Sequence, residues 1–269
     1  MVMWEELVAE VPKTAKKLAE KFWPGPLTIV LKKSEKVSKT VSAGLDTVGV
    51  RMPNNAAALS LIEKAEIPLA APSANSSGSP SPTKPEHVIN DLNGKIDAVI
   101  DGGSCDIGVE STVLDLSGEI PKILRPGGIS KEQIESVIGK AEIDSAVLTP
   151  QLTENPASPG MKYKHYSPKA KVIIISGETE KYIKFCNEKN HEDFALCFDE
   201  AAPNIKISKM TLGSENDLKT AANRLFDTLR ELDNSGAKTI YVQKPPERGI
   251  GLAVLNRVLR AANFFEIKL

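Results

Sequence analysis

Cysteine is scarce in this sequence. Cys105, Cys186 and Cys197 are scattered and odd in number. None has a Cys or His partner at metal-ligand spacing, which argues against a disulfide framework or a zinc site. No excess of one charge exists. Lys and Arg number 34 against 35 Asp and Glu, a net charge of −1, so no global surplus of cations is available to displace counterions from a nucleic acid. A local basic patch stays open. Long apolar runs are also missing. The longest are short stretches such as residues 172–175, far below the roughly 18 residues that a membrane span needs. The N-terminus lacks the basic, apolar and small-residue succession of a secretory signal, so the expected compartment is the cytoplasm. Walker A and G-x-G-x-x-G patterns are absent, which removes the common nucleotide fingerprints.

The 269 residues are 41% hydrophobic and 26% charged, a balance typical of a soluble chain with a core. The length suits one large domain or two smaller ones. Apolar Leu7, Val8, Ala15, Leu18, Ala19 and Phe22 recur at helical spacing, with Pro12 suited to a first helical position, and the Trp23-Pro-Gly-Pro26 segment ends that helix. Strands are expected at 27–31, 48–52, 68–71, 98–100, 111–115 and 122–124, and helices at 56–64, 86–92 and 129–138 with Ser130 as N-cap. Residues 142–169 hold four prolines and little periodicity and read as a linker. Beyond it, strands at 172–176, 194–198 and 239–242 alternate with helices at 180–189, 217–234 and 251–263. That alternation predicts a second α/β unit with a parallel, doubly wound sheet.

Several residues could carry chemistry. The loop Ala71-Pro-Ser-Ala-Asn-Ser-Ser-Gly78 follows an apolar segment and offers hydroxyls and an amide. There Ser73 and Asn75 either face a small polar substrate or belong to a Ser-rich surface turn. Arg51, inside an apolar stretch, is either edge-exposed or aimed at a carboxylate or phosphate. Arg125 precedes Pro-Gly-Gly128, a turn able to present backbone N–H groups to an anion. Ser111 and Thr112 are ordinary residues for the start of a strand, and Asp101-Gly-Gly103 reads as a tight turn. His87 and His191 look isolated. Tyr163, His165 and Tyr166 sit between basic residues in the linker, where they suit base stacking or fasten the linker to a domain surface. Gly249-Ile-Gly251 is either a ligand loop or the start of a packed helix.

Together these motifs resemble one family, the YrdC-type L-threonylcarbamoyl-AMP synthases in their long two-domain form. The matching stretches are Phe22-Trp-Pro-Gly-Pro-Leu-Thr28, Val48-Gly-Val-Arg-Met-Pro53, Ala71-Pro-Ser-Ala-Asn75, Gly108-Val-Glu-Ser-Thr112, Leu124-Arg-Pro-Gly127, Pro159-Gly-Met-Lys-Tyr-Lys-His-Tyr166, and Gly249-Ile-Gly-Leu-Ala253 with Asn256-Arg257. They are collinear and cover nearly the whole chain. The resemblance implies a twisted open α/β domain over residues 1–141, a Pro-rich linker over the active site at 142–169, and a smaller Rossmann-like parallel α/β domain at 170–269. It implies condensation of L-threonine, bicarbonate or CO₂, and ATP to threonylcarbamoyl-AMP and diphosphate. Partner enzymes would then modify tRNA. Arg51, Ser73 and Ser111 would contact threonine; Thr47, Asn75, Thr83, Arg125 and Tyr163 would line the ATP site; Mg²⁺ would mask the phosphate charge. No covalent catalytic residue and no protein-held metal are implied. The family also carries an upstream strand, helix and Lys-x-Arg segment not in this sequence. The expectation is therefore an N-terminally truncated domain that alone binds ATP poorly and is inactive. The alternative is a non-catalytic module binding tRNA or double-stranded RNA. A carbamoyltransferase maturation factor is disfavoured, because three scattered cysteines supply no zinc-finger-like clusters.

Overall fold

The computed structural model describes residues 3–150 and 166–269. The chain opens with two helices, α1 (Met3–Leu7) and α2 (Lys13–Phe22). The sequence suggested one continuous helix, but Pro12 lacks an N–H and divides the pair. Strand β1 (Leu27–Lys32) follows, then β2 (Thr47–Val50), helices α3 (Ala56–Ala65) and α4 (Pro85–Leu92), strands β3 (Thr112–Asp115) and β4 (Lys122–Arg125), and helix α5 (Lys131–Ile138). Strand β5 (Glu142–Ile143) completes a sheet of order β2-β1-β3-β4-β5. The sequence placed residues 142–143 in the linker; here they pair in parallel with β4. Ser130 caps α5 as expected, forming a capping box with Gln133.

Alternation along β1 sets the two faces of this sheet. Leu27, Ile29 and Leu31 join α2, α5 and Trp4 in one apolar cluster. Val30 turns the other way, to Val113 and Leu124. Thr28 and Ser111 lie on this second side, where their hydroxyls meet.

Two expected strands are not there. Residues 68–71 and 98–100 lie outside both sheets. Ile67, Leu69, Val99 and Ile100 are exposed. Each segment is extended-prone and apolar, but a strand exists only where a neighbour takes its backbone hydrogen bonds. Among the described residues no strand lies alongside either one.

The second unit holds β6 (Lys171–Ser176), α6 (Thr179–Asn187), β7 (Phe194–Cys197), β8 (Ser208–Thr211), α7 (Leu218–Asn234), β9 (Thr239–Gln243), α8 (Gly251–Ala261) and β10 (Glu266–Lys268). All its pairings are parallel, in the order β10-β6-β9-β7-β8. Tyr182 and Cys186 of α6 pack with Ile173 and Ile175 on one face. The helices α7 and α8 pack with Val172 and Ile174 on the other. This is the doubly wound sheet that alternation predicted. Strands β8 and β10 were not anticipated, because Ser208–Thr211 and Glu266–Lys268 are short and half polar.

The two sheets are joined by more than the connecting segment. Arg230 of α7 pairs with Asp91 of α4 at 2.8 Å, both largely shielded. Asp227 meets Lys84 at 2.6 Å and the His87 Nε2 at 3.3 Å. His87 Nδ1 accepts from the Thr83 N–H, so Nε2 carries the proton. Burial and the nearby Arg230 hold the imidazole below its usual pKa and therefore neutral. A Cβ on Gly108 would lie 2.3 Å from the Asn223 Cα of α7, and its φ is +77°. Gly108→Ala is expected to cost on the order of 3 kcal/mol from backbone strain and overpacking. Urea unfolding measures it against Gly118→Ala, a position facing open space.

Candidate functional site

The carboxyl ends of β2 and β4 and the start of β3 bring three sequence-predicted residues together. Arg51 follows β2, and its Nε donates to the Gly25 carbonyl at 3.0 Å. The Gly25 N–H in turn donates to the Met52 carbonyl at 2.9 Å. The bend ended by Pro24 and Pro26 is thereby docked on the strand end that presents the guanidinium. Arg125 ends β4. Its Nη2 donates to the Ser111 carbonyl at 3.0 Å and to Ser111 Oγ at 3.2 Å. Ser111 Oγ lies 2.8 Å from Thr28 Oγ1. Because Arg125 donates to this hydroxyl, its own proton is available to Thr28 or to a ligand.

The electrostatics favour an anion. Much of Arg51 is open to solvent, yet the surrounding protein and then the like charge of Arg125 lower its pKa. The two guanidiniums thus lie at the same end of the sheet, close enough for each to feel the other. Among the described residues neither has a carboxylate at salt-bridge distance. Two neighbouring cations without an ion-pair partner suit a carboxylate or phosphate.

The nearest acid is already committed. Glu110 accepts from Ser81 Oγ at 2.7 Å and from Arg257 Nε at 2.9 Å. Burial pushes its carboxyl up, but the guanidiniums of Arg257 and Arg125 and the Ser81 hydroxyl outweigh that and hold it at about 2. Thr112 fastens the next turn: its hydroxyl donates to the Ile129 carbonyl at 2.5 Å, and the Ile129 N–H donates back at 3.0 Å.

Along the loop, Asn75 Nδ2 donates to the Ser76 and Ser79 carbonyls at 3.1 and 3.0 Å. Its Oδ1 and the Thr83 Oγ1 are buried with no hydrogen-bond partner among the described residues. Buried polar atoms in that state mark places where a further partner is accommodated. Thr83 reaches the cationic crevice through Cys105, whose N–H donates to the Thr83 carbonyl at 2.9 Å and whose thiol feels the charge of Arg51. Ser73 is exposed on the same loop. Thr47 lies elsewhere. It pairs with Lys32 at the far end of β2, whereas Val50, next to Arg51, pairs with Ile29. Thr47 is thus roughly 13 Å from Arg51 along the chain. Tyr163 lies outside the described residues.

Sequence reasoning missed Thr28, Ser81 and Glu110 as parts of this centre and gave Arg257 no role, while for Tyr166 it offered stacking on a base or fastening the linker to a domain surface. Tyr166 is buried, stacks on Phe226 with ring centroids 5.1 Å apart, and faces the Arg257 guanidinium at 5.6 Å. The available signal was a lone acid between Val109 and Ser111 and a lone Arg inside the apolar run from Leu252 to Leu259. Buried charges of opposite sign require each other.

The fold and these residues define an α/β protein of two sheets with a cationic, hydroxyl-bearing cluster at the strand ends. Residues 1–127 match the family model described as telomere recombination, and residues 129–263 match that of the threonylcarbamoyl-AMP synthase C-terminal domain. The Threonylcarbamoyl-AMP synthase of Pyrococcus abyssi is 44% identical over 273 residues, covering 98% of this chain and 78% of that protein. Its namesake in Bacillus subtilis is 44% identical over 263 residues, covering 96% and 75%. The crystal structure of P. abyssi Sua5 complexed with L-threonine superposes with a TM-score of 0.92 at 43% identity, covering 99% of this chain and 78% of that one. The chain belongs to the threonylcarbamoyl-AMP synthase family.

Proposed function

We propose that the chain provides the threonine and nucleotide sites of a threonylcarbamoyl-AMP synthase acting in tRNA threonylcarbamoyladenosine formation. The observation that carries this is the crevice of Arg51, Arg125 and Ser111, which has two cations and no acid, in a chain that superposes on a relative crystallised with L-threonine. Arg51 binds the threonine carboxylate, and Ser111 bonds the amino acid from the floor. Ser73 reaches it from the loop. Arg125, Thr83 and Asn75 belong to the ATP side, where Asn75 Oδ1 accepts an N–H of the base and Thr83 Oγ1 meets a polar atom of the nucleotide. Thr47, at the end of β2 away from Arg51, is carried by the family resemblance to the ATP side. Residues 1–143, closed by β5, form the catalytic unit and 170–269 the second unit; Tyr163 of the connecting segment belongs to the ATP side through the family resemblance.

The chemistry then balances without a covalent enzyme intermediate. The threonine amine forms a bond to the bicarbonate carbon and water leaves, giving a carbamate. A carbamate oxygen attacks the α-phosphorus, the α–β phosphoanhydride bond breaks, and diphosphate departs. Both reacting partners are anions, so the contribution of the residues is alignment and fixed positive charge. Among the described residues no group of three acidic, His or Cys side chains is placed to hold a metal. Mg²⁺ enters here as part of the MgATP substrate. The soluble partner enzymes that pass the group to tRNA belong to this reading too, in the cytoplasm.

Calorimetric titration of ATP, with saturating L-threonine and Mg²⁺, tests it. Arg125→Ala is expected to weaken binding by about tenfold to a hundredfold, the worth of a charge-assisted hydrogen bond. No binding of either ligand, together with RNA binding that weakens steeply as salt rises, would move the chain to the RNA-binding reading.

A further inference from the structure

Helix α8 is buried along its whole length, Gly251 to Ala261, although Asn256, Arg257 and Arg260 are among its residues. A guanidinium with no exposure is tolerated only when its donors are met. Here the first sheet unit meets them. Arg257 Nη1 donates to the Pro126 carbonyl at 2.7 Å, and Nε donates to Glu110 Oε2 at 2.9 Å. Nη2 lies 2.8 Å from the same oxygen without hydrogen-bond alignment, so that contact is Coulombic. Asn256 Nδ2 donates to the Val147 carbonyl at 2.7 Å, and Arg260 Nη2 to the Ala146 carbonyl at 2.7 Å.

The two groups gripped by Arg257 have a common property. Glu110 immediately precedes Ser111, and Pro126 immediately follows Arg125. Arg125 itself bonds Ser111. The contacts close a ring: Arg257 to Glu110-Ser111, Ser111 to Arg125-Pro126, and back to Arg257. Inside the ring the backbones are pressed together. A Cβ on Gly127 would lie 2.3 Å from the Glu110 carbonyl oxygen and 2.4 Å from the Thr112 nitrogen. The Gly128 N–H donates to the same Glu110 oxygen at 3.2 Å. The spacing between the Ser111 hydroxyl and the Arg125 guanidinium is thus fixed from below, by a side chain of the other sheet unit.

We infer that Arg257 is a positioning residue, through which the second unit sets the geometry of the threonine and nucleotide crevice in the first. The inference rests on the proposed function for the identity of the ligand, but the ring itself does not. Positioning of this kind needs the fork of a guanidinium, since one arm must hold the carboxylate while another holds a carbonyl. A lysine supplies charge to Glu110 without the second arm.

The test compares the unsubstituted chain with Arg257→Lys and with Glu110→Gln/Arg257→Met. The double variant removes the buried charge as well as the fork, so it separates folding from positioning. Three quantities are measured: the urea midpoint, the Kd for L-threonine by calorimetry, and amide hydrogen exchange in segments 110–112 and 126–128. The expected result is a double variant with a urea midpoint near that of the unsubstituted chain, a threonine Kd raised about tenfold or more in both variants, and exchange in the two segments about tenfold faster while β6 is unchanged. A threonine Kd within twofold in both variants, or one that returns in the double variant along with its stability, would overturn the inference. Absence of threonine binding both by the unsubstituted chain and by a longer form spanning the full length of its relatives would sink the functional reading instead. The exchange measurement then decides positioning alone: faster exchange confined to the two segments supports it, and unchanged exchange overturns it.

Discussion

Arg257→Met alone is expected to lower the free energy of unfolding at pH 7 by about 3–5 kcal/mol, the cost of leaving one member of a buried pair without its partner. The Glu110 carboxylate would keep the Ser81 hydroxyl and the more distant Arg125, while Tyr166 adds no charge. Burial, the strongest influence on Glu110, would then dominate. Urea unfolding monitored by circular dichroism measures the loss, and Glu110→Gln/Arg257→Met should recover most of it. The pH dependence supplies a second check. In the unsubstituted chain the Glu110 carboxyl lies at about 2 against an ordinary 4.5. A depressed folded-state value means that its stabilisation is fully present above pH 4.5 and is lost as pH falls from there toward 2. The gap corresponds to about 3 kcal/mol. In Arg257→Met the sign reverses. The folded state prefers the neutral acid, so the deficit relative to the unsubstituted chain narrows as pH falls toward 4.5.

Arg51→Ala is expected to weaken L-threonine binding by about tenfold to a hundredfold, equivalent to about 1.5–3 kcal/mol for a charge-assisted hydrogen bond. Folding should be barely affected, because Arg51 lies beyond the end of β2 and, among the described residues, is held by its hydrogen bond to the Gly25 carbonyl. Arg51→Lys should not restore full affinity, since an ammonium lacks the planar fork that matches a carboxylate. Titration calorimetry at low ionic strength reads both. Retained affinity in Arg51→Ala would place the carboxylate elsewhere.

The architecture was legible where local pattern and tertiary demand agree. Lys131–Ile138 carries its own cap, and the strand–helix alternation beyond residue 170 has one packing solution, a parallel sheet covered on both faces. Residues 68–71 and 98–100 read as strands because they are apolar and short. Strand formation depends on a neighbour, which a single segment cannot report. Arg51 and Arg125 stood out by type and Ser111 only through the family resemblance, but their convergence was not legible. Their meeting depends on β1 being flanked by β2 and β3, and on a register that sets Thr28 beside Ser111. Glu110 with Arg257 was illegible for a different reason. The pair spans 147 positions, and each partner alone looks like an exposed charge that happens to interrupt an apolar run.

The most direct test of the functional reading follows label from carbon-14 bicarbonate in the presence of L-threonine and MgATP. It uses this chain, whose matches cover 75–78% of its relatives' length, and an extended form that spans their full length. The account predicts label entering threonylcarbamoyl-AMP in step with diphosphate release in at least the extended form, and loss of both in its Arg51→Ala and Arg125→Ala variants. Absence of labelled product in both forms, or product formation indifferent to Arg51 and Arg125, would contradict it.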